Sequence, residues 1–232
     1  MTPEEMVARL LYRDGLMLVI DKPPGYAVHK GPKGGESLED HFGALRFGLP
    51  RAPALAHRLD RDTTGCLVLG RHRKALATLS RLFKAGRIRK TYWAVVEGGP
   101  GEEQGRVVLA LARRDESRGW WMKPDPHGQP AITTWKAMGR EGKHTWLALE
   151  PLTGRTHQLR VHCAAMGWPV AGDAIYGNAP RAGAPMLHLH AREIEVPLYK
   201  NREPIRVTAP VPLHMQEQLY ACGWQGEVYR LV

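Results

Sequence analysis

The stretch 55-LAHRLDRDTTGCLVLGR-71 sets two carboxylates, Asp60 and Asp62, among arginines directly ahead of an apolar run. That run, Cys66 to Leu69, has the length of a short buried strand. An acid flanked by Arg58 and Arg61 is favoured in its ionised form by the neighbouring cations. Such a carboxylate is a poor proton donor at neutral pH. It is suited to act as a nucleophile, or as an anion that stabilises a developing cation. Read alone, HRLD is equally compatible with a structural Arg–Asp pair. Asp62 could close the turn RDTTG, where two threonines offer side-chain hydrogen bonds and Gly65 a permissive backbone.

Working outward, GLMLVIDKPPG predicts a buried strand from Leu16 to Ile20, stopped by Pro23, Pro24 and Gly25. GPKGGES is a loop, and without a GK[ST] ending it is no phosphate-cradling loop. RHRKALATLSRLFKAG predicts an amphipathic helix with Leu76, Leu79, Leu82 and Phe83 on one face and Gly86 as its stop. TYWAVVEG, GRVVLALA, AITTWKAM and HTWLALEP read as strands. EGGPGEEQG and RRDESRGWWMKPDPHGQ read as loops between them. TGRTHQLRVHCAAMG predicts a second helix, capped by Thr156, with Leu159, Cys163 and Met166 on one face and Gly167 at its end. MLHLHA is strand-like, and LHMQEQLYACG is a short amphipathic segment. Many strands and few helices, without βαβ alternation, predict an α+β fold on a large, mixed, mostly antiparallel sheet. With no long linker, residues 1–232 are expected to form a single domain.

The chain has 232 residues, 43% of them hydrophobic and 24% charged, which is the profile of a globular protein with a real core. Its formal charge is +10, with 33 Lys and Arg against 23 Asp and Glu, and this points to a polyanionic partner. No acid occurs between Thr63 and Val96, whereas eight cations fall between Arg71 and Lys90. A solvated helix face usually mixes both signs, so Arg71, Arg73, Lys74, Lys84 and Arg87 are candidate contacts to an RNA backbone. Three cysteines without a CxxC argue against a disulfide framework and a cysteine zinc site. No apolar run is long enough for a membrane span and the N-terminus is no secretion signal, so the cytosol is the expected compartment.

HRLDRDTTG resembles the signature of the RluA-type pseudouridine synthases, HRLD followed by two variable residues and T-S-G. Four further stretches agree in order: DKPPG, RKTYWAVVEG, TGRTHQLRVHCAAMGWPVAGDAIYG and LHLHA. Together they run from about Leu10 to Leu213. Thr64 replaces the family's serine and keeps its hydroxyl. The few residues before DGLMLVIDKPPG cannot form an S4 domain, so the resemblance is to a member without one. Grip on RNA is then expected from the catalytic domain itself.

The resemblance implies an enzyme that isomerises uridine in structured rRNA or tRNA to pseudouridine, without cofactor or metal, as a cytosolic monomer. The bond from ribose C1′ to uracil N1 breaks, the base turns, and C5 is joined to C1′. It implies Asp60 as the catalytic aspartate, Tyr92 as the active-site tyrosine, and Arg160 as the arginine that pairs with Asp60. Leu189 would be the apolar pocket residue, with Leu187 as the alternative. Arg58 would enter the stack where the flipped base stood. His57 would order the loop, and Arg155, His157 and Gln158 would brace the second helix and touch RNA. Two other readings compete. A metal hydrolase could use His157 and His162, His188 and His190, and Asp173. The five-residue spacing of the first pair, however, turns them to different helix faces. A non-catalytic RNA-binding factor would share the basic face, but has no use for a carboxylate that repels phosphate.

Overall fold

The computed structural model describes residues 1–31, 34–115, 121–180, 183 and 185–227. Parts of two predicted loops, 32–33 in GPKGGES and 116–120 in RRDESRGWWMKPDPHGQ, lie outside the described residues. The chain divides into two compact units, Met1–Lys90 with Ala191–Pro210, and Thr91–His190 with Val211–Val232.

The first unit opens with α1 (Pro3–Ala8), nucleated by a reciprocal capping box. Thr2 Oγ1 accepts from Glu5 N at 3.2 Å, and Glu5 Oε2 accepts from Thr2 N at 2.7 Å. β1 (Leu10–Arg13) pairs antiparallel with β2 (Met17–Lys22). A 3-10 helix over Leu38–Leu45 follows, then β3 (Ala54–Leu55) and β4 (Thr64–Gly70). β2 and β4 are antiparallel, in register from Met17 opposite Gly70 to Lys22 opposite Gly65. β4 is buried along its whole length, which is why CLVLG shows no polar alternation.

Next comes α2 (Arg73–Lys84), the helix read from its 3.6-residue period. Ala75 and Leu79 are buried, and Leu82 and Phe83 lean on the same core as Met17, Val19 and Val68. His72 caps it, its Nδ1 accepting from Ala75 N at 3.3 Å. Gly86, at φ +64°, closes it: Gly86 N donates to Phe83 O and Arg87 N to Leu82 O. A Cβ on Gly70 would stand 2.8 Å from Leu76 Cα, so a glycine there is what lets α2 lie this close to β4.

The second unit holds β5 (Arg89–Glu97) from Thr91 onward, β6 (Gln104–Val108), β7 (Leu111–Arg113), β8 (Met122–Pro124), β9 (Ile132–Glu141), β10 (His144–Pro151) and α3 (Gln158–Ala165). Its strands run in the order β5-β10-β9-β6, and β7 and β8 form a separate hairpin. β11 (Leu189–Val196), from Ala191 onward, and β12 (Ile205–Thr208) then complete the first unit, β11 beside β4 and antiparallel to β12. α4 (Leu213–Ala221) packs Met215 and Leu219 against Trp146 and Trp224 of the second unit. The fold is α+β, and the ladders within β5–β10, β10–β9, β9–β6 and β7–β8 are all antiparallel.

Four readings are corrected. GRVVLALA is two strands, β6 and β7, and β8 lies within a predicted loop. The N-cap of α3 is His157, not Thr156, and it sits in the left-handed region at φ 51°. The side chain of Gln158 imposes this turn, since its Oε1 accepts from Thr153 Oγ1 at 2.7 Å and Arg155 N at 3.0 Å. Nor is α3 one-faced: Gln158 through Cys163 are all buried, while Met166 is 48% exposed.

Candidate active site

In the first unit the HRLD segment crosses from β3 to β4 as a loop held from several sides. Ala56 N donates to Val68 O, and Val68 N donates back to His57 Nε2 at 3.0 Å. The His57 ring stacks on Phe83 of α2, centroids 4.4 Å apart. Burial pushes its pKa down to about 3, with Lys90 adding to the shift, so His57 is a neutral acceptor at physiological pH. The ring ties the loop to β4 and α2, and a neutral imidazole that accepts from Val68 N is no proton shuttle. Thr63 N donates to Asp60 O at 3.2 Å, and Thr63 and Thr64 are buried behind the turn. Arg58 is exposed, Leu59 is buried, and Asp60 is half-buried.

The residue that sequence reasoning missed here is Lys22, the last residue of β2. It is fully buried, and its ammonium donates to the carbonyls of Arg61 at 2.7 Å, Pro23 at 2.8 Å and Thr63 at 3.0 Å. Burial, opposed by the carboxylates of Asp62, Asp60 and Asp21, lowers its pKa to about 7. Three carbonyl acceptors require three N–H groups, which only the charged form supplies. Lys22 therefore pins the turn just after Asp60 at two of its carbonyls. Lys22→Met leaves three carbonyls without this donor and is expected to lower stability by about 3 kcal/mol. A fall of roughly 10 °C in Tm would register it in a melting curve. An unchanged Tm would show that the turn holds without the clamp.

In the second unit Arg160, on α3, meets Asp173 in a bidentate pair. Nε to Oδ2 is 2.7 Å and Nη2 to Oδ1 is 2.8 Å, with both side chains buried. Burial disfavours the Asp173 charge, but Arg160 and the N–H groups of Tyr176 and Ile175 outweigh it and hold its pKa below the usual range. The Arg160 guanidinium also lies over the Tyr176 ring, 5.2 Å from its centroid. Asp173, considered from sequence only as a metal ligand, is thus a partner that aims Arg160. Tyr92, on β5 opposite Leu149, packs on the core cluster that contains both Leu187 and Leu189. Both leucines are buried, so burial does not choose between them.

Two assignments are corrected. Gln158 is buried, and its amide donates to Ile132 O at 2.9 Å and Thr133 Oγ1 at 3.0 Å, so it braces α3 and does not face RNA. Arg71 donates to the carbonyls of Asp14, Arg46 and Phe47, so it fastens two loops and leaves the group of RNA-backbone candidates. The rest of that group, Arg73, Lys74, Lys84 and Arg87, is exposed. Arg155 donates through Nε to Pro130 O at 3.0 Å, and His157 Nδ1 is 2.8 Å from Tyr176 Oη. His162 is held between Thr133 Oγ1 and Leu109 O, and His188 between Met186 O and Gln218 Oε1. Among the described residues no group of three or more His, Cys, Asp or Glu side chains could hold a metal ion. Among them, too, no helix is long and apolar enough to cross a membrane.

Residues 16–165 match the RNA pseudouridylate synthase family. An uncharacterised RNA pseudouridine synthase of Zymomonas mobilis is 38% identical over 209 residues, covering 89% of this chain and 95% of its own. The ribosomal large subunit pseudouridine synthase C of Vibrio cholerae is 34% identical over 221 residues, 90% of this chain and 68% of its own. Among solved structures, human RNA pseudouridylate synthase domain containing 4 superposes with a TM-score of 0.79 at 25% identity, covering 95% of each chain. Human RNA pseudouridylate synthase domain containing 1 gives 0.75 at 28% identity, over 91% of this chain and 86% of its own. A match over most of the chain, close relatives of the same kind and a shared fold agree with the five sequence motifs: the chain belongs to the RNA pseudouridine synthases, in their RluA-type branch.

Proposed function

We propose that this synthase modifies uridines of large-subunit rRNA, as a cytosolic monomer, with Asp60 as the group that acts at ribose C1′. The observation that carries this reading is the HRLD turn itself. A carboxylate stands on a loop pinned by a buried ammonium, next to an exposed Arg58. Cleavage of the C1′–N1 bond builds positive character at C1′, which an ionised carboxylate stabilises or captures. A uridine in a folded RNA must leave its stack to reach such a group, and the Arg58 guanidinium can stack and hydrogen-bond in its place. The Tyr92 phenol is the group for the C5 proton that must leave once C5 is bonded to C1′. Arg160, fixed by Asp173, is a rigid cation suited to steadying an anion. The name of the Vibrio cholerae relative favours large-subunit rRNA over tRNA as the target. Tritium release from transcripts labelled at uridine C5 tests this. Release from a large-subunit rRNA transcript and none from bulk tRNA is expected, and the reverse pattern would overturn the rRNA assignment.

The exposed cations of α2 supply grip. Replacing Arg73, Lys74, Lys84 and Arg87 by Ala should weaken RNA binding without changing which uridine reacts, because phosphate contacts set affinity and register. The fall of affinity with salt should become shallower by about 0.7 of an ion per contact removed. Thermal stability should hardly change, since the apolar face of α2 is on the other side. An unchanged salt slope would return this face to the class of merely solvated surfaces.

A further inference from the structure

A second basic feature lies within the second unit. A pocket of about 560 Å³ opens beside the β7–β8 hairpin, and Arg113, His127, Gln129, Pro130, Arg155 and Thr156 are among the residues that line it. Its wall is built firmly. Leu111 N donates to Gln129 O at 2.9 Å and Gln129 N to Leu111 O at 2.8 Å. Gly128 N closes the turn onto Asp125 O at 2.8 Å. A Cβ on Gly128 would come within 2.5 Å of Leu111 O, so the turn and β7 touch backbone to backbone. Arg155 is fixed at the rim by its Nε bond to Pro130 O.

The charge of the rim is lopsided. Among the described residues of 111–130, together with Arg155, the cations are Arg113, Arg114, Lys123 and Arg155, and the acids are Asp115 and Asp125. Asp125 is engaged by Lys123 Nζ at 3.3 Å and by His127 N at 3.0 Å. Those two hydrogen bonds, the His127 N–H first, hold its pKa low. The remaining lining groups include His127, Gln129 and Thr156, which can donate hydrogen bonds, beside the apolar Leu111 and Met122, and the volume suits one nucleotide. Beside the pocket the Arg114 guanidinium lies over the Trp121 ring, 5.9 Å from its centroid, a cation–aromatic surface of the kind on which unpaired bases stack.

We infer that this pocket holds a phosphodiester of the RNA strand, at a nucleotide flanking the one that reacts, with Arg113 and Arg155 as its anchors. It is a subsite for the strand, separate from the residues assigned to chemistry. It is also joined to Arg160 by a short path within the same unit. Tyr176 Oη accepts from Met122 N, on the β8 wall of the pocket, at 2.9 Å, and it lies 2.8 Å from His157 Nδ1. His157 caps the helix that carries Arg160, and the Tyr176 ring lies under the Arg160 guanidinium. A strand seated in the pocket is thus indexed against the segment 155–160. The guanidinium cations meet a phosphate through charge and N–H donors, and the charge, which a lysine shares, carries most of the affinity.

The inference rests on the proposed action on RNA, and the test separates the two. Affinity for a large-subunit rRNA transcript is measured across a salt series for the wild type, Arg113→Gln, Arg155→Gln, the double variant and Arg155→Lys. Lys143→Gln, which removes one exposed cation from the β9–β10 turn, is the control. Tritium release from the same transcript is followed in parallel. The double variant should bind about 10-fold more weakly or worse, with a salt slope shallower by about 0.7 per arginine. KM should rise by a similar factor and kcat stay within about twofold, because the anchors position RNA and do not touch the reacting atoms. Arg155→Lys should recover most of the affinity, whereas loss through a disturbed Pro130 turn would not be recovered, and Lys143→Gln should match the wild type. Wild-type affinity and salt slope in the double variant would overturn the subsite even if tritium release proceeds normally. Affinity loss with an equal fall in kcat and in Tm would also overturn it, as the mark of a structural role. Tight binding of uridine monophosphate that the double variant abolishes, with RNA affinity unchanged, would reassign the pocket to a free nucleotide. A wild type that binds the transcript through these arginines but releases no tritium would sustain the subsite and refute the proposed catalysis.

Discussion

Asp60→Asn is expected to lower turnover by at least about 10⁴-fold, the scale on which loss of a nucleophile or its equivalent acts in other enzymes. RNA affinity and Tm should stay close to the wild type. Asparagine keeps the shape and the backbone turn, and the turn is held by Lys22, His57 and Thr63 N, not by the carboxylate alone. What disappears is the negative charge that C1′ requires as its bond to N1 breaks. Asp62→Asn is the companion experiment. Asp62 is exposed and also supports the Lys22 charge, so its loss should leave turnover within about tenfold of the wild type. If Asp62→Asn were inactive and Asp60→Asn active, the two roles would be exchanged.

Tyr92→Phe should lower kcat by about 10² to 10⁴-fold, the range for removing a positioned acid or base, while RNA binding survives. The phenylalanine ring can still pack on the cluster around Leu149, Leu187 and Leu189. Only the hydroxyl is gone, so stability should change little. Single-turnover tritium release separates the two possible functions of the side chain. Normal release by the variant would mean that the aromatic face alone matters.

The elements with a strong local code were legible. α2 combines a 3.6-residue apolar period with a C-terminal glycine in the left-handed region, and the strands around β2 and β4 are runs of buried aliphatic residues between turn signals. Elements missed from sequence depend on partners far along the chain. Lys22 looks like a solvated cation at the end of a strand, yet its acceptors on Arg61 and Thr63 lie 39 and 41 residues away. Asp173 reads as a candidate metal ligand until Arg160 is placed 2.7 Å from it. Arg71 belonged by charge to the acid-free stretch, but the carbonyls of Asp14, Arg46 and Phe47 take its guanidinium. Charge patterning does not distinguish a cation that faces solvent from one that closes a loop. The helix α1 was legible in principle, since TPEE carries both halves of a capping box.

The residues proposed for chemistry rest on motif resemblance, with the flanking arginines as a local signal for Asp60 alone. Asp60, Tyr92 and Arg160 sit on a loop, a strand and a buried helix. What the structure adds within each unit is support for individual side chains: a triple carbonyl clamp beneath Asp60 and a bidentate carboxylate for Arg160. Such support is the requirement for a group that must be aimed as well as charged.

The central claim is that this chain converts uridine to pseudouridine in large-subunit rRNA through Asp60. Its most direct test is a map of pseudouridines in rRNA and tRNA from a strain lacking the protein, complemented with the wild type or with Asp60→Asn. The account predicts that one or a few large-subunit rRNA positions lose pseudouridine in the deletion, regain it with the wild type, and stay unmodified with Asp60→Asn. Full modification restored by Asp60→Asn, or a map identical in all the strains, would contradict it.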